Sequence, residues 1–349
     1  MSARPPFTPV LWCLVAAGLF GASAPAARVL LRDAGPFTLA GLFYLGAAAG
    51  VLPLSGIFTR GGAPRLRGNG RSLARLGAAV VSGGMVAPVL LLAGLQRAPA
   101  ASVSLWLSVE AAATALLAWM FFAEHMPARA CVAVAVICGC GALLASPGQQ
   151  ASPVAGLLVA LACLCWGLDN NLTALIDGLT PAQCALTKGL VAGGVNLAFG
   201  LWLETAPTAA RTVAGALLLG AASYGLSLVL YIAGSQQLGA ARSQIIFATA
   251  PFWGAALSWT LLAERVSIEQ ALAAPMILGA LWLLHTERHE HAHTHETVRH
   301  IHWHRHDDDH HDHAHPGLST WIGHTHEHSH DDVTHAHAHR PDLHHRHPH

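Results

Sequence analysis

Lysine is all but missing from this sequence: Lys188 is the only one. Histidine is missing too until late, since of 25 histidines only His125 precedes His285. Charged residues make up 11% of the chain and hydrophobic residues 53%, with a mean hydropathy of +0.44. A soluble domain carries about 25% charged residues, so this composition excludes one. Before the tail the acids are Asp33, Glu110, Glu124, Asp169, Asp177, Glu204, Glu264 and Glu269. The formal zero charge therefore joins a basic body to an acidic, histidine-rich tail. No CxxC occurs, and Cys138/Cys140 and Cys163/Cys165 are spaced so that a helix turns them to different sides. Cysteines in apolar runs act as small packing residues rather than a redox pair. The body also lacks a nucleophile–base constellation, a phosphate loop and a closed metal site. An enzyme is not expected, no cofactor is required, and no nucleic-acid partner is indicated.

What the chain does have is apolar runs of membrane length. A bilayer core of about 30 Å takes about 20 apolar helical residues. Ten such runs lie at approximately 9–27, 37–57, 76–96, 98–122, 128–146, 154–175, 182–203, 211–234, 239–262 and 267–285. Short connections leave no room for an extramembrane domain, and membrane lipid is the first partner. Ser23 to Ala27 has the composition of a signal-peptidase site, but this run has a counterpart in the second half, so it reads as a retained helix.

The stretch from Val89 to Glu124 is used twice. It returns without a gap from Val229 to Glu264, carrying Ala93, Gly94, Gln96, Ala100, Ala101, Trp119, Ala123 and Glu124 onto Ala233, Gly234, Gln236, Ala240, Ala241, Trp259, Ala263 and Glu264. A duplicated apolar unit is the mark of a transporter built from repeats. Residues 1–150 form the first repeat, 151–285 the second and 286–349 the tail. Arg4 and the arginines at 60, 65, 67, 71 and 75 place the N-terminus and the second loop in the cytoplasm. Ten spans return the C-terminus there, and five helices per repeat force the halves into opposite topologies. The expected fold is an all-α integral membrane protein of ten transmembrane helices in two inverted five-helix repeats. Glu124 and Glu264, ending their helices, read as cap or interface residues.

Three further stretches, Gly18 to Leu31, Val86 to His125 and Cys165 to Pro181, together with Lys188 to Gly193, give the chain a resemblance to a known family. It resembles the EamA-type transporters of the drug/metabolite transporter superfamily, from about residue 10 to 285. The family's tryptophan-glycine in the first helix of each half is present as Trp166-Gly167 and altered to Phe20-Gly21. The resemblance implies a central cavity and secondary transport of small solutes, but no particular substrate.

Ionisable residues inside a membrane are costly and are functional candidates by default. Glu110 lies near the middle of the fourth run. Asp169 and Lys188 fall at about the same depth in the sixth and seventh. They form either a packing ion pair or a binding site in which Lys188 attracts an anionic or zwitterionic solute, with Asp169, Asn170 and Asn171 beside it. Trp166 and Arg242 complete the substrate set. Glu110 is either a proton-exchanging group or a neutral carboxyl bonded to Ser108 or Thr114. Pro88, Pro251 and Pro275, with Gly83 and Gly84, mark kinks or hinges.

After His285 the chain is low-complexity and is expected to have no regular structure without metal. Its alternating histidines, His291, His293, His295, His302, His304, His306, His311, His313, His315, His324, His326, His328, His330, His335, His337 and His339, suit divalent Zn, Ni, Co or Cu. The tail is a solvated extension, a buffer or sensor of metal, or a sign that metal is the cargo. The primary expectation is an exporter of a small organic solute in a bacterial inner membrane. The alternatives are a divalent metal transporter and a membrane-anchored metal-binding protein.

Overall fold

The computed structural model describes residues 7–58, 70–122, 126–146, 152–176, 179, 181–207, 209–238, 240–285, 289–295, 299–304, 324–329 and 333–339. Up to His285 every regular element among them is helical. The first half holds α1 (Phe7–Gly21), α2 (Ser23–Leu30), α3 (Pro36–Phe58), α4 (Gly70–Ala79), α5 (Ala87–Leu95), α6 (Ala100–Trp106), α7 (Val109–Phe121) and α8 (Ala128–Leu144). The second holds α9 (Pro153–Thr173), α10 (Pro181–Leu203), α11 (Ala210–Leu219), α12 (Ser227–Leu238), α13 (Ala240–Phe247), α14 (Ala250–Leu261) and α15 (Ile268–His285). Among the described residues, six helical runs are long and apolar enough to cross a membrane: Thr8–Leu30, Gly70–Leu95, Ala100–Phe121, Pro153–Thr173, Ala182–Leu203 and Ala210–Ser235. Shorter apolar helices cover Pro36–Leu52, Ala128–Leu144 and Ile268–Leu284.

Local sequence explains the starts and the breaks. Pro153 opens α9 behind Ser152, whose hydroxyl accepts from the Val154 amide at 3.2 Å, and Pro36 and Pro181 open α3 and α10. Pro88 and Pro251 are the second residues of α5 and α14, in the first turn just after an interruption, where the missing N–H costs little. Two interruptions are π-helical, at Val80–Val86 and Gly220–Leu226. The interval that carries Val89 to Val229 carries one onto the other.

Large apolar side chains point outward, including Trp202 at 77%, Ile268 at 76% and Leu261 at 74% exposure, while the interior is rich in alanine. That inversion of a soluble protein's plan suits a lipid surround, in which helices associate through small residues. The second helices of the two halves, α3 and α10, show it best. Gly200 abuts Thr38, Gly41 abuts Leu197, and Gly189 abuts Ala48, so the pair runs antiparallel with backbones in contact. Around it α1 packs on α12 and α14, α9 packs on α5 and α7, and α8 packs on α15.

Two carboxylates tie the halves together at one end. Glu264, after α14, accepts from the amides of Ala100 and Ala101 at 2.8 and 2.9 Å. Glu204, after α10, accepts from Phe37 and Thr38, both at 2.9 Å. Each satisfies two orphan donors of a helix start and meets its positive dipole end. Glu264 thus fills the expected cap role, whereas Glu124 lies outside the described residues. All seven cysteines are free.

The sequence predicts no regular structure after His285, yet four short strands occur there: β1 (His289–His295), β2 (Arg299–His304), β3 (His324–Ser329) and β4 (Val333–His339). β1 pairs antiparallel with β4 and β2 with β3, setting His291 opposite His337 and His302 opposite His326. Alternation of histidine with other residues has the two-residue period of a pleated strand, which low complexity obscures. His306, His311, His313, His315 and His330 lie outside the described residues.

Candidate functional site

The site is built where α7, α9, α10 and the first π segment meet. Lys188 Nζ lies 2.6 Å from Asp169 Oδ1, 2.8 Å from Oδ2 and 3.3 Å from Thr173 Oγ1, and Thr173 in turn donates to Asp169 Oδ1 at 2.9 Å. An ammonium has three protons, and here three acceptors take them. The pair is mostly buried, with side-chain exposures of 17% for Lys188 and 8% for Asp169. Gly83 makes room for it, because a Cβ at that position would run into the Asp169 carboxyl.

One residue further along α9, Asn170 Nδ2 donates to Glu110 Oε1 at 3.0 Å and to Thr114 Oγ1 at 3.3 Å. The sequence offered Ser108 or Thr114 as partners of the Glu110 carboxyl. Instead the Thr114 hydroxyl donates to the Glu110 backbone carbonyl at 2.8 Å, and the Ser108 hydroxyl is buried without a partner among the described residues. Asn171 faces away from this network, donating to the Thr114 carbonyl at 3.0 Å across the α7–α9 contact and to the Gly167 carbonyl of its own helix at 2.8 Å. Arg242 is exposed in the first turn of α13.

The π segment supplies a shared acceptor. Trp166 Nε1 and Tyr44 Oη both donate to the Gly83 carbonyl, at 2.9 and 2.6 Å. Asn196 donates to the next two carbonyls, Gly84 and Met85, each at 3.2 Å. Tyr44 stacks on Tyr224 at 6.2 Å between ring centroids, and Phe20 meets Tyr224 edge-on at 5.7 Å. The third tyrosine, Tyr231, packs on Phe247, which reaches back to Phe20. All three tyrosines of the chain thus join one aromatic cluster.

Asn170 is exposed, and Glu110, Trp166, Tyr44 and Tyr224 are half-buried. On α9 the outward apolar stripe is Leu157, Leu161 and Leu164, and Asn170 lies roughly 120° around the helix from Leu164. Asn170 and the groups bonded to it are thus turned away from the apolar stripe. The sequence reading set Lys188, Asp169, Asn170, Asn171, Trp166 and Arg242 in one substrate set and treated Glu110 apart; the structure bonds Lys188 to Asp169 and brings Glu110 to Asn170. The sequence reading missed Thr173, Tyr44, Tyr224 and the role of Gly83, although the shared position of the two π segments within the repeat and the scarcity of tyrosine were signals.

Apolar membrane-length helices and a charged interior define a multi-pass membrane protein. The chain matches the EamA-like transporter family over residues 7–146 and again over 154–286, and it belongs to that family. The two matched stretches are the two repeats. A solved crystal structure of a protein without a functional name is similar in fold, with a TM-score of 0.57 at 17% identity, covering 79% of this chain and 94% of that one. No curated protein matches.

Proposed function

We propose that this protein is a secondary transporter that exports a small organic solute across a bacterial inner membrane by alternating access. The observation that carries the reading is two bonded clusters held side by side by α9, Lys188 with Asp169 and Thr173 and, one residue on, Asn170 with Glu110, with Trp166 and Tyr44 beside them on the Gly83 carbonyl. Ionisable groups are kept at such depth for a task. The two matched repeats and the antiparallel run of α3 against α10 support a reading of ten spans in two opposed five-helix halves. Arginine placement supports a cytoplasmic location of both termini. Glu110 is the proton-exchanging group, since Asn170 holds it without neutralising it. The histidine tail binds Zn, Ni, Co or Cu at the cytoplasmic face as an accessory.

Metal as cargo is disfavoured by the same geometry. With Asp169 held by Lys188, one carboxylate is left over, fewer oxygen or nitrogen ligands than a divalent cation takes. The test is flux in proteoliposomes of the full-length protein and of a form ending at His285, with Zn²⁺, Ni²⁺ and Co²⁺ beside amines and amino acids. Organic flux that survives loss of the tail is the expected result. Metal flux that persists without the tail would overturn the reading.

A further inference from the structure

Charge accounting within the helices narrows the solute. Lys188 is the only lysine, and its three protons are taken by Asp169 and Thr173. Of the described arginines, Arg28, Arg32, Arg71, Arg97, Arg129, Arg211, Arg242 and Arg265 lie at helix ends or in connections, and Arg75, in the second turn of α4, donates to the Leu175 carbonyl at 2.7 Å. Glu110 stands differently. Its carboxyl receives one amide, from Asn170, and among the described residues no base is bonded to it. The interior charge without a partner of opposite sign is therefore negative.

The polar tips of three surrounding aromatics are also committed. Tyr44 and Trp166 donate to the Gly83 carbonyl, and Tyr231 donates to Gln244 at 2.6 Å. What remains on offer beside the Glu110 carboxylate is ring surface and neutral polar atoms such as the Asn170 amide oxygen.

Resting on the transporter reading, we infer that the solute is an organic monocation, a protonated amine on an aromatic or apolar body, with Glu110 as its counter-charge and the rings of Tyr44, Tyr224 and Trp166 as its wall. A ring face attracts a cation, most strongly where water is excluded. A zwitterion or an anion would bring a carboxylate to a site whose one ammonium has no proton left to donate, and an unpaired buried carboxylate is strongly penalised.

Four probes of one shape separate the classes: phenethylamine, its neutral N-acetyl derivative, phenylalanine and 3-phenylpropionate. Titration calorimetry of the full-length protein in detergent is expected to show phenethylamine binding at least roughly tenfold tighter than the other three. E110Q removes that preference and E110D keeps it. The comparison within the unaltered protein decides the matter even where a variant does not fold. Equal or tighter binding of phenylalanine or 3-phenylpropionate overturns the inference, as does a protein that binds none of the four. Proteoliposome flux separates the two levels. Phenethylamine bound but not carried leaves the site assignment standing and removes the transport reading, whereas flux of 3-phenylpropionate without phenethylamine does the reverse.

Discussion

Trp166 and Gly83, on different helices of different halves, meet through one hydrogen bond of 2.9 Å from the indole nitrogen to the carbonyl oxygen. Tyr44 donates to the same oxygen at 2.6 Å. A carbonyl has two lone pairs, so the two donors saturate it. W166F and Y44F are each expected to lower stability by about 1 kcal/mol, because the other donor remains. The double variant strands the acceptor and should cost more than the sum. Thermal melting of the purified protein, treated as a double-mutant cycle, measures this. Strict additivity would show that the two donors act independently.

The pair of Lys188 and Asp169 gives a second expectation. K188M leaves a mostly buried carboxylate alone and should cost about 3 kcal/mol, near the lower end of values for buried pairs because Lys188 keeps some water contact. D169L/K188M, which removes both charges, should melt closer to the wild type than K188M does. Flux should be lost in both. A double variant less stable than the single would mean that packing, not charge, sets the cost.

Gly167 lets α9 lie against α7. A Cβ there would sit 2.9 Å from the Thr114 amide nitrogen and 3.0 Å from the Ala113 carbonyl carbon, both backbone atoms that cannot swing aside. G167A is expected to destabilise by about 2 kcal/mol through overpacking. Gly279 is the control, since nothing lies within 4 Å of a Cβ built on it. G279A should be neutral or slightly stabilising. Equal melting shifts for the two would contradict this account.

Ala263 has φ 53°, the left-handed turn that ends a helix and that glycine accepts more readily. A263G should raise stability by up to about 1 kcal/mol. Next to it, E264A removes the carboxylate that meets Ala100 and Ala101 and should lower stability by about 1 kcal/mol. Melting of the two variants in one detergent gives opposite signs if the turn and the cap act as described.

Much of this arrangement was legible from the chain. Apolar runs gave the helices, the gapless recurrence from Val89 onward gave the two halves, and residue counts along the sixth and seventh runs placed Asp169 level with Lys188. Rotation about a helix axis was not legible. The partner of Glu110 was sought within one turn of it, but Asn170 comes from 60 residues away and is delivered only by how α9 lies against α7. The third run began at Gly70 rather than near residue 76 because arginines at a membrane edge depress hydropathy without ending a helix. Pro88 and Gly83 could be marked as a hinge, but not as a π turn whose carbonyls would gather Tyr44, Trp166 and Asn196. Asn171, one residue from Asn170, took no part, because a step of one residue turns a side chain to another face.

The two π segments carry a record of descent. A π turn holds one residue more than the α turn it replaces. Val80–Val86 and Gly220–Leu226 carry that extra residue at the same distance before the matching stretches that start at Val89 and Val229. The insertion is most simply older than the doubling of the gene, present already in an ancestor of half this length. Since then the copies have parted: one has Gly83 and Gly84 where the other holds Ser223 and Tyr224.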